Sequence, residues 1–245
     1  MYKVEFNKSE LHDPNIPKSS RCILAISMGV EAYEKHKLIG ILKLINRNFQ
    51  ECIIVVGDTL NRYNAALQQQ GGDLEALTLK QGEDWLNRNL AYFVKELQIP
   101  FKVIRWNSFL SLPNFEMHSK KIEHLYQTND NYRTVFDDTA EEFINRQGHP
   151  DNSKNSHHFH QCIKYLKEEA AVMCLWTELN CEYEIYYNKR NGVMDLIYQD
   201  LLKPAYPDLL QPISLRFKRK CFELSHWLKS PTTETLCARG DQTAK

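Results

Sequence analysis

Cys22-Ile23-Leu24-Ala25-Ile26-Ser27-Met28-Gly29 carries most of the topological information in the chain. An unbroken run of aliphatic and β-branched residues is the pattern of a strand buried on both faces, as in a parallel sheet. The run ends in a small polar residue and a glycine, and a helix-like pattern follows, so it opens into a strand-to-helix turn. Open α/β sheets bind ligands outside the carboxyl ends of such strands. The Ser27 hydroxyl, with Gly29 beside it, therefore sits where chemistry is expected.

Glu51-Cys52-Ile53-Ile54-Val55-Val56 repeats the pattern, and between the two runs Leu38, Ile39, Leu42, Ile45 and Phe49 recur at helical spacing among Lys35, Lys37, Lys43 and Arg47. This is a strand-helix-strand unit. A right-handed crossover makes the strands parallel and brings Gly57-Asp58-Thr59 close to Ser27. A long helix starting at Asp73 or Thr78 runs through Trp85, Leu86, Leu90, Phe93, Val94 and Leu97 toward Pro100, and Phe101 to Trp106 reads as a third strand. Residues 113–146 are helical with a break at Asn129-Asp130-Asn131, 147–156 form a polar loop, and His157 to Trp176 is helical again. Glu182 to Tyr187 has the aromatic and β-branched content of a fourth strand. Met194 to Leu202 reads as helix, Pro204, Pro207 and Pro212 as a rigid connection, and Phe217 to Leu228 as a last mixed segment.

The 245 residues, 42% of them hydrophobic, support one domain with a substantial core. The expected organisation is an N-terminal extension over 1–20, a single α/β domain over 21–229 and a flexible tail over 230–245. No apolar stretch approaches 18 residues, and Met1 to Ser20 is polar with prolines at Pro14 and Pro17, so a cytoplasmic protein with no membrane partner is expected. Cys22, Cys52, Cys162, Cys174, Cys181, Cys221 and Cys237 form no CxxC pair, and several lie in apolar runs, which points to reduced core thiols. Lys and Arg total 31 against 31 Asp and Glu, a balance that argues against binding nucleic acid by bulk charge alone and leaves room for a local patch. His157, His158, His160 and Cys162 are the one segment a metal argument could use. His157 and His158 cannot both face inward from one helix, and no metal is expected.

A serine becomes a nucleophile when a neighbour accepts its proton or fixed donors stabilise the developing charge. The hydrolase elbow Gly-x-Ser-x-Gly is not matched, because Ala25 stands at its first glycine. A serine that caps the following helix is the alternative. Tyr165 and Glu169 lie four apart and share a helical face, so a phenol and a carboxylate can point at one ligand and together hold an ammonium group. Partial burial would raise the carboxyl pKa until it could also take a proton. An amphipathic helix with a tyrosine at the core rim is the plainer reading. Glu168, Asp137 and Asp138 read as surface carboxylates.

Taken together, Arg21-Cys22-Ile23-Leu24-Ala25-Ile26-Ser27, Val55-Val56-Gly57-Asp58-Thr59, Tyr165-Leu166-Lys167-Glu168-Glu169-Ala170-Ala171 and Tyr187 resemble the tRNA-dependent cyclodipeptide synthases, in order and spacing over roughly residues 20 to 230. Arg21 stands for the family's usual histidine, Ala25 for a glycine and Ala171 for a proline. Val30 replaces the asparagine that one branch places after the serine, and Asn188 follows Tyr187 where the branches have histidine or proline. The chain thus looks like a divergent member, nearer the branch lacking that asparagine.

The resemblance implies an α/β fold with a Rossmann-like parallel sheet flanked by helices, similar to class I aminoacyl-tRNA synthetase catalytic domains. It also implies a ping-pong reaction in which Ser27 takes the aminoacyl group of one aminoacyl-tRNA as an ester. A second aminoacyl-tRNA extends this to a dipeptidyl-enzyme, which closes to a diketopiperazine. Tyr165 and Glu169 would anchor the ammonium and Tyr187 would orient or relay a proton. Ile23, Ala25, Val55, Val172 and Ile185 would line the first side-chain pocket, with Gly29 and Asn188 also at the substrate. No cofactor is implied, consistent with the absence of Gly-x-Gly-x-x-Gly and Walker loops and of the synthetase HIGH and KMSKS signatures. The implied partners are two aminoacyl-tRNAs and no DNA, and the implied state is a monomer. The family uses a basic helix where Lys80, Arg88 and Lys95 fall in one arc, although Asp84 shares it and a solvated mixed-charge face reads equally well. Arg216, Lys218, Arg219 and Lys220 form a denser basic cluster. The rival readings are a tRNA-independent serine hydrolase or acyltransferase, for which no histidine base is identified, and a non-enzymatic RNA- or nucleotide-binding module.

Overall fold

The computed structural model describes residues 2–7, 16–68, 72–147, 153–187 and 189–219. In chain order, β1 (Tyr2–Phe6) precedes β2 (Arg21–Ser27), a 3-10 turn (Glu31–Tyr33), α1 (Lys35–Asn48) and β3 (Glu51–Gly57). A second 3-10 turn (Thr59–Asn61) leads into α2 (Arg62–Leu67), α3 (Leu74–Glu96), β4 (Phe101–Arg105) and α4 (Trp106–Leu110). Then come α5 (Phe115–Thr128), α6 (Asp130–Gln147), α7 (His157–Leu175), a 3-10 turn (Trp176–Leu179) and β5 (Tyr183–Tyr186). The described chain ends with α8 (Gly192–Ile197), a π-helical turn (Tyr198–Leu202), a short helical turn (Lys203–Ala205) and β6 (Gln211–Arg219). Side-chain caps mark the starts of α3 and α7. The Asp73 carboxylate accepts from Ala76 N at 3.0 Å before α3, and the Ser156 hydroxyl accepts from Phe159 N at 3.1 Å before α7.

The strands form one sheet in the order β1-β6-β5-β2-β3-β4. Every pairing is parallel except β1 with β6, so the sheet is mixed where a parallel one was expected. Its antiparallel member, Tyr2–Phe6, comes from the segment read as an N-terminal extension. Pro212 lies inside β6 and not in the connection before it. A proline is tolerated there because, among the described residues, β1 pairs only with residues 215–219 and nothing bonds to that side of β6 at Pro212. The remainder of the mixed segment expected over 217–228 lies outside the described residues beyond 219.

Strand alternation divides the core. Ile23 and Ala25 of β2 and Ile53 and Val55 of β3 pack with α2 and α4 to α8. Leu24, Ile26, Ile54 and Val56 pack with α1 and α3 on the opposite face. The chain moves outward from β2 to β3 and β4, then returns to place β5 and β6 on the other side. The carboxyl end of β2 is therefore a switch point, where an open α/β sheet leaves a crevice. Ser27 pairs in register with Gly57, as the crossover unit requires. The described cysteines Cys22, Cys52, Cys162, Cys174 and Cys181 are free and buried, and no helix among the described residues is long and apolar enough to cross a membrane.

Asp58, just past β3, is buried and accepts from Thr59 N at 2.7 Å and from Arg105 Nε at 2.5 Å. α3 passes directly over it at Gly82, where an added Cβ would lie 2.5 Å from the Asp58 Cβ and overlap its carboxylate. The approach needs a residue without a side chain. Gly82→Ala is expected to lower the unfolding free energy by about 2 kcal/mol, overpacking outweighing the ~1 kcal/mol gain in helix propensity. Urea denaturation measures it, and a variant as stable as the parent would remove this account of the contact.

Candidate active site

Gly29 adopts φ +78, a left-handed turn that L side chains rarely take, and bends the chain away immediately after Ser27. The serine lines a pocket that, open solvent included, spans about 460 Å³. Its Oγ lies 2.9 Å from the Tyr186 hydroxyl. The turns that follow begin at Val30 and Glu34 with no side-chain cap, so the capping role considered for Ser27 is not the one it plays.

The phenol in contact with Ser27 is Tyr186, where the sequence reading named Tyr187. Successive side chains of a strand point to opposite faces. Tyr186 shares the face of Ile23, Ala25 and Ser27, whereas Tyr187 packs with the α1 and α3 core and donates its backbone N–H to the Tyr33 hydroxyl at 3.2 Å. Ile185, named for the side-chain pocket, is turned away by the same alternation. The residue after Tyr186 is Tyr187, and Asn188 lies outside the described residues. Ala25 and Val55 line the cavity at Ser27, while Ile23 and Val172 are buried in the core that backs it. Leu60, Trp106, Trp176 and Met194 complete its apolar wall, with Asn61 and Asn64 at the rim.

Tyr165 and Glu169 meet as the helical spacing requires, the Tyr165 hydroxyl donating to Glu169 Oε1 at 3.3 Å. Asn191 Nδ2 donates to Glu169 Oε2 at 3.1 Å. Glu169 is 7% exposed, and burial pushes its carboxyl up to about 7 against the opposing effect of these two hydrogen bonds. Burial also pushes the Tyr165 and Tyr186 phenols far above their usual range, reinforced by the nearby Glu169 charge, so both remain neutral donors. A second pocket, about 620 Å³ with open solvent included and lined by Leu67, Ala140, Phe143, Leu166, Gln161 and Thr139, adjoins the first. Asn64, Tyr165, Glu169 and Tyr186 border both. Two chambers thus share one polar wall, and Ser27 opens into one of them.

Glu168 does not lie on the surface as expected. It accepts from Tyr63 Oη and Trp106 Nε1, each at 2.9 Å, and from both terminal nitrogens of Arg62, a closed network that fixes α2 and the Trp106 ring against α7. Asp137 is likewise buried, accepting from Tyr126 Oη at 2.9 Å and Lys154 at 2.6 Å. Arg21 stands at the opposite end of β2, roughly 20 Å of extended chain from Ser27, paired with Glu51 at 2.9 Å. The departure from the family's histidine therefore lies at the end of β2 away from the cavity at Ser27. Ala171 is fully buried, and the Ala25 side chain faces the first cavity.

Lys80, Arg88 and Lys95 are exposed on the outer face of α3, with Asp84 among them and the exposed apolar residues Leu90 and Val94 nearby. Arg216 and Lys218 are exposed on β6, but Lys218 is paired with Glu5 at 2.6 Å, which weakens the cluster. The Arg219 side chain and Lys220 lie outside the described residues. His160 Nδ1 meets Ser156 O at 2.8 Å, and the described residues hold no group of three His, Cys, Asp or Glu placed to share an ion.

Tyr186, Asn191, Asn61, Asn64, Trp106 and Trp176 were not singled out from sequence. Only Tyr186 had a usable signal, because strict alternation from Ile23 and Ala25 through the sheet would have chosen it over its neighbour. Tyr186→Phe is expected to lower turnover of the site by about 10–100-fold through loss of the Ser27 contact, and Tyr187→Phe by less than about 2-fold. Rates of product formation separate them, and the reverse ranking would restore the assignment to Tyr187.

No family model matches the chain, and no curated protein does. Among solved structures, a CDPS from Fluoribacter dumoffii superposes with a TM-score of 0.83 at 32% identity, over 89% of this chain and 100% of that one. A cyclodipeptide synthase from Candidatus Glomeribacter gigasporarum bound to Phe-tRNAPhe gives 0.67 at 20% identity, over 94% and 100%. A Mycobacterium tuberculosis protein, described as demonstrating that cyclodipeptide synthetases are related to type I tRNA synthetases, gives 0.56 at 13% identity, over 89% and 93%. The last two show a shared fold.

Proposed function

This chain belongs to the cyclodipeptide synthase family, and from that premise we propose that it joins two aminoacyl groups from two charged tRNAs into a diketopiperazine through esters on Ser27. The observation that carries the reading is the 2.9 Å contact of Ser27 Oγ with Tyr186 on a wall shared with Tyr165 and Glu169. The nucleophile, a proton relay and an ammonium anchor border the same space. Among the described residues no imidazole lines either cavity, which counts against a serine hydrolase built on a histidine base.

Ser27 Oγ attacks the ester carbonyl of the first aminoacyl-tRNA. Its proton passes through Tyr186 to the departing ribose oxygen, leaving an aminoacyl ester on the enzyme. The ammonium of that ester sits on Glu169 and Tyr165. For a dipeptide to remain on Ser27, the enzyme-bound amine must attack the ester of the second aminoacyl-tRNA, so this ammonium must first lose a proton. A carboxyl at about 7 can take it, because an α-amino group has a pKa of roughly 7.7–8.0 and the transfer is nearly balanced. The second tRNA leaves as its ribose oxygen regains a proton. The new terminal amine then attacks the Ser27 ester, closing the ring and returning the proton to Oγ.

Both amino acids arrive activated, so no cofactor enters this scheme. Charged tRNA as substrate places the work in the cytoplasm, and Lys80, Arg88 and Lys95 on α3 remain the proposed contact to its phosphates, by the family resemblance and their exposure. Mass spectrometry of medium from a bacterial host expressing the protein tests the function. A cyclic dipeptide absent from the empty-vector control supports it, and none from a folded, abundant protein supplied with the full set of charged tRNAs would overturn it.

A further inference from the structure

Asn191 joins two parts of the site that the chain places apart. Its amide nitrogen donates to Glu169 Oε2 at 3.1 Å, while its amide oxygen accepts from Met194 N at 2.8 Å and caps α8. A carboxamide carries its donor and its acceptor on two separate atoms, so one can reach Glu169 while the other caps α8, and asparagine is also a favoured N-cap. The neighbouring residue fixes the backbone it hangs from. Arg190 is buried, pairs with the buried Glu184 of β5, donates to Leu210 O at 3.2 Å and lies 4.6 Å over the Tyr198 ring. Tyr186 and Asn191, five positions apart, thus present one contact to Ser27 and one to Glu169.

Resting on the reading that Glu169 anchors the aminoacyl ammonium, we propose that Asn191 is a positioning residue that holds the Glu169 carboxylate in its ionised, ammonium-binding form and in one orientation between the two cavities.

The surroundings of Glu169 leave this role to Asn191. Tyr165 faces it from α7 with the longer hydrogen bond, 3.3 Å. From β5 come Tyr186, whose hydroxyl is engaged with Ser27, and Glu184, whose charge raises the Glu169 pKa and is met by Arg190. Beyond Tyr165, the Tyr63 ring stands edge-on to it, and Arg62, Tyr63 and Glu168 close their own network. From α6, Thr139 and Phe143 line the cavity without charge. Burial favours the neutral acid, and the Asn191 hydrogen bond is the largest effect opposing it.

Asn191→Ser separates capping from clamping. A serine hydroxyl still caps α8 but is too short to donate to Glu169. In protein labelled at the glutamate side-chain carboxyl carbons, with the Glu169 signal assigned by Glu169→Gln, carbon NMR should find the Glu169 midpoint raised by about one pH unit in the variant. The acid limb of the pH–rate profile should move with it, leaving cyclic dipeptide formation about fivefold lower at pH 7 and near normal at pH 8.5. If Asn191 only capped α8, the serine variant, which keeps the cap, would leave both curves in place, and that result would overturn the proposal. Asn191→Asp keeps the cap and serves if the serine variant does not fold. Its added negative charge should move the midpoint further up, and an unmoved midpoint again refutes the clamp. A parent protein that makes no cyclic dipeptide would sink the proposed function alone, since the NMR titration reads the Asn191 contact without turnover.

Discussion

Replacing Ser27 with alanine is expected to lower cyclic dipeptide formation by at least about a thousandfold, with the fold intact. Both esters in the proposed sequence are made on Ser27 Oγ, so no later step can proceed without it, and loss of an obligatory nucleophile is among the largest single-residue effects on a rate. Ser27 is partly exposed and its hydroxyl contacts only the Tyr186 hydroxyl among the described hydrogen bonds. The cost in stability should stay near 1 kcal/mol. Product quantified by mass spectrometry beside a melting curve distinguishes the two effects. A folded alanine variant retaining a tenth of the parent rate would require a route in which the second amine attacks the first tRNA ester directly.

The second large effect is at Glu169, where the same burial that serves the chemistry weakens the fold. Its carboxyl is pushed up to about 7 in the folded protein, against roughly 4.3 in an unfolded chain. As the neutral acid it is tolerated fully below about pH 4. Between about pH 4 and 7 the unfolded state ionises first, and this stability is lost as the pH rises through the folded value, a difference of about 3 kcal/mol at pH 8. Glu169→Gln is nearly isosteric and cannot ionise. It can accept from Asn191 and donate to the Tyr165 oxygen, which occupy the same positions around it. The variant should therefore match the parent in acid and be more stable by about 3 kcal/mol at pH 8. Activity should fall by about a hundredfold or more, because the ammonium loses its counter-charge and its base. Chemical denaturation at pH 4.5 and 8 checks the first part and product formation the second. A variant less stable than the parent at pH 8 would show that the carboxylate is held there as a net stabilising charge.

The parts of the fold legible in sequence are those whose burial is uniform. Cys22 to Ile26 and Cys52 to Val56 are covered on both faces and read as unbroken apolar runs, and Leu38, Leu42 and Ile45 record the helix packed over one of those faces. β1 carries a strand signal that the sequence reading passed over: Tyr2-Lys3-Val4-Glu5-Phe6 alternates apolar and charged residues as a half-buried edge strand does, with Lys3 and Glu5 paired at 2.6 Å on one face. Pro212 argued against a strand by a rule that holds only where both neighbours bond at that level. In the site, Ser27, Tyr165 and Glu169 could be found because their spacing is local, along one strand end or one helical face. Tyr186 against Tyr187 was a register question, and one residue of slip exchanges the two faces of a strand. Asn191, Trp106 and Trp176 reach the site only through tertiary packing, and no periodicity records which carboxylate an asparagine will meet.

The covalent ester on Ser27 is the central claim, and it can be observed before any product forms. Purified protein is mixed with a single species of tRNA charged with an isotopically labelled amino acid drawn from the cyclic product, quenched in acid and digested for tandem mass spectrometry. The account predicts one aminoacyl group, on the peptide carrying Ser27 and on that side chain, which is discharged into diketopiperazine when the second charged tRNA is added. Cyclic dipeptide formation at the normal rate with Ser27 unmodified throughout, or with the label on another residue, would contradict it.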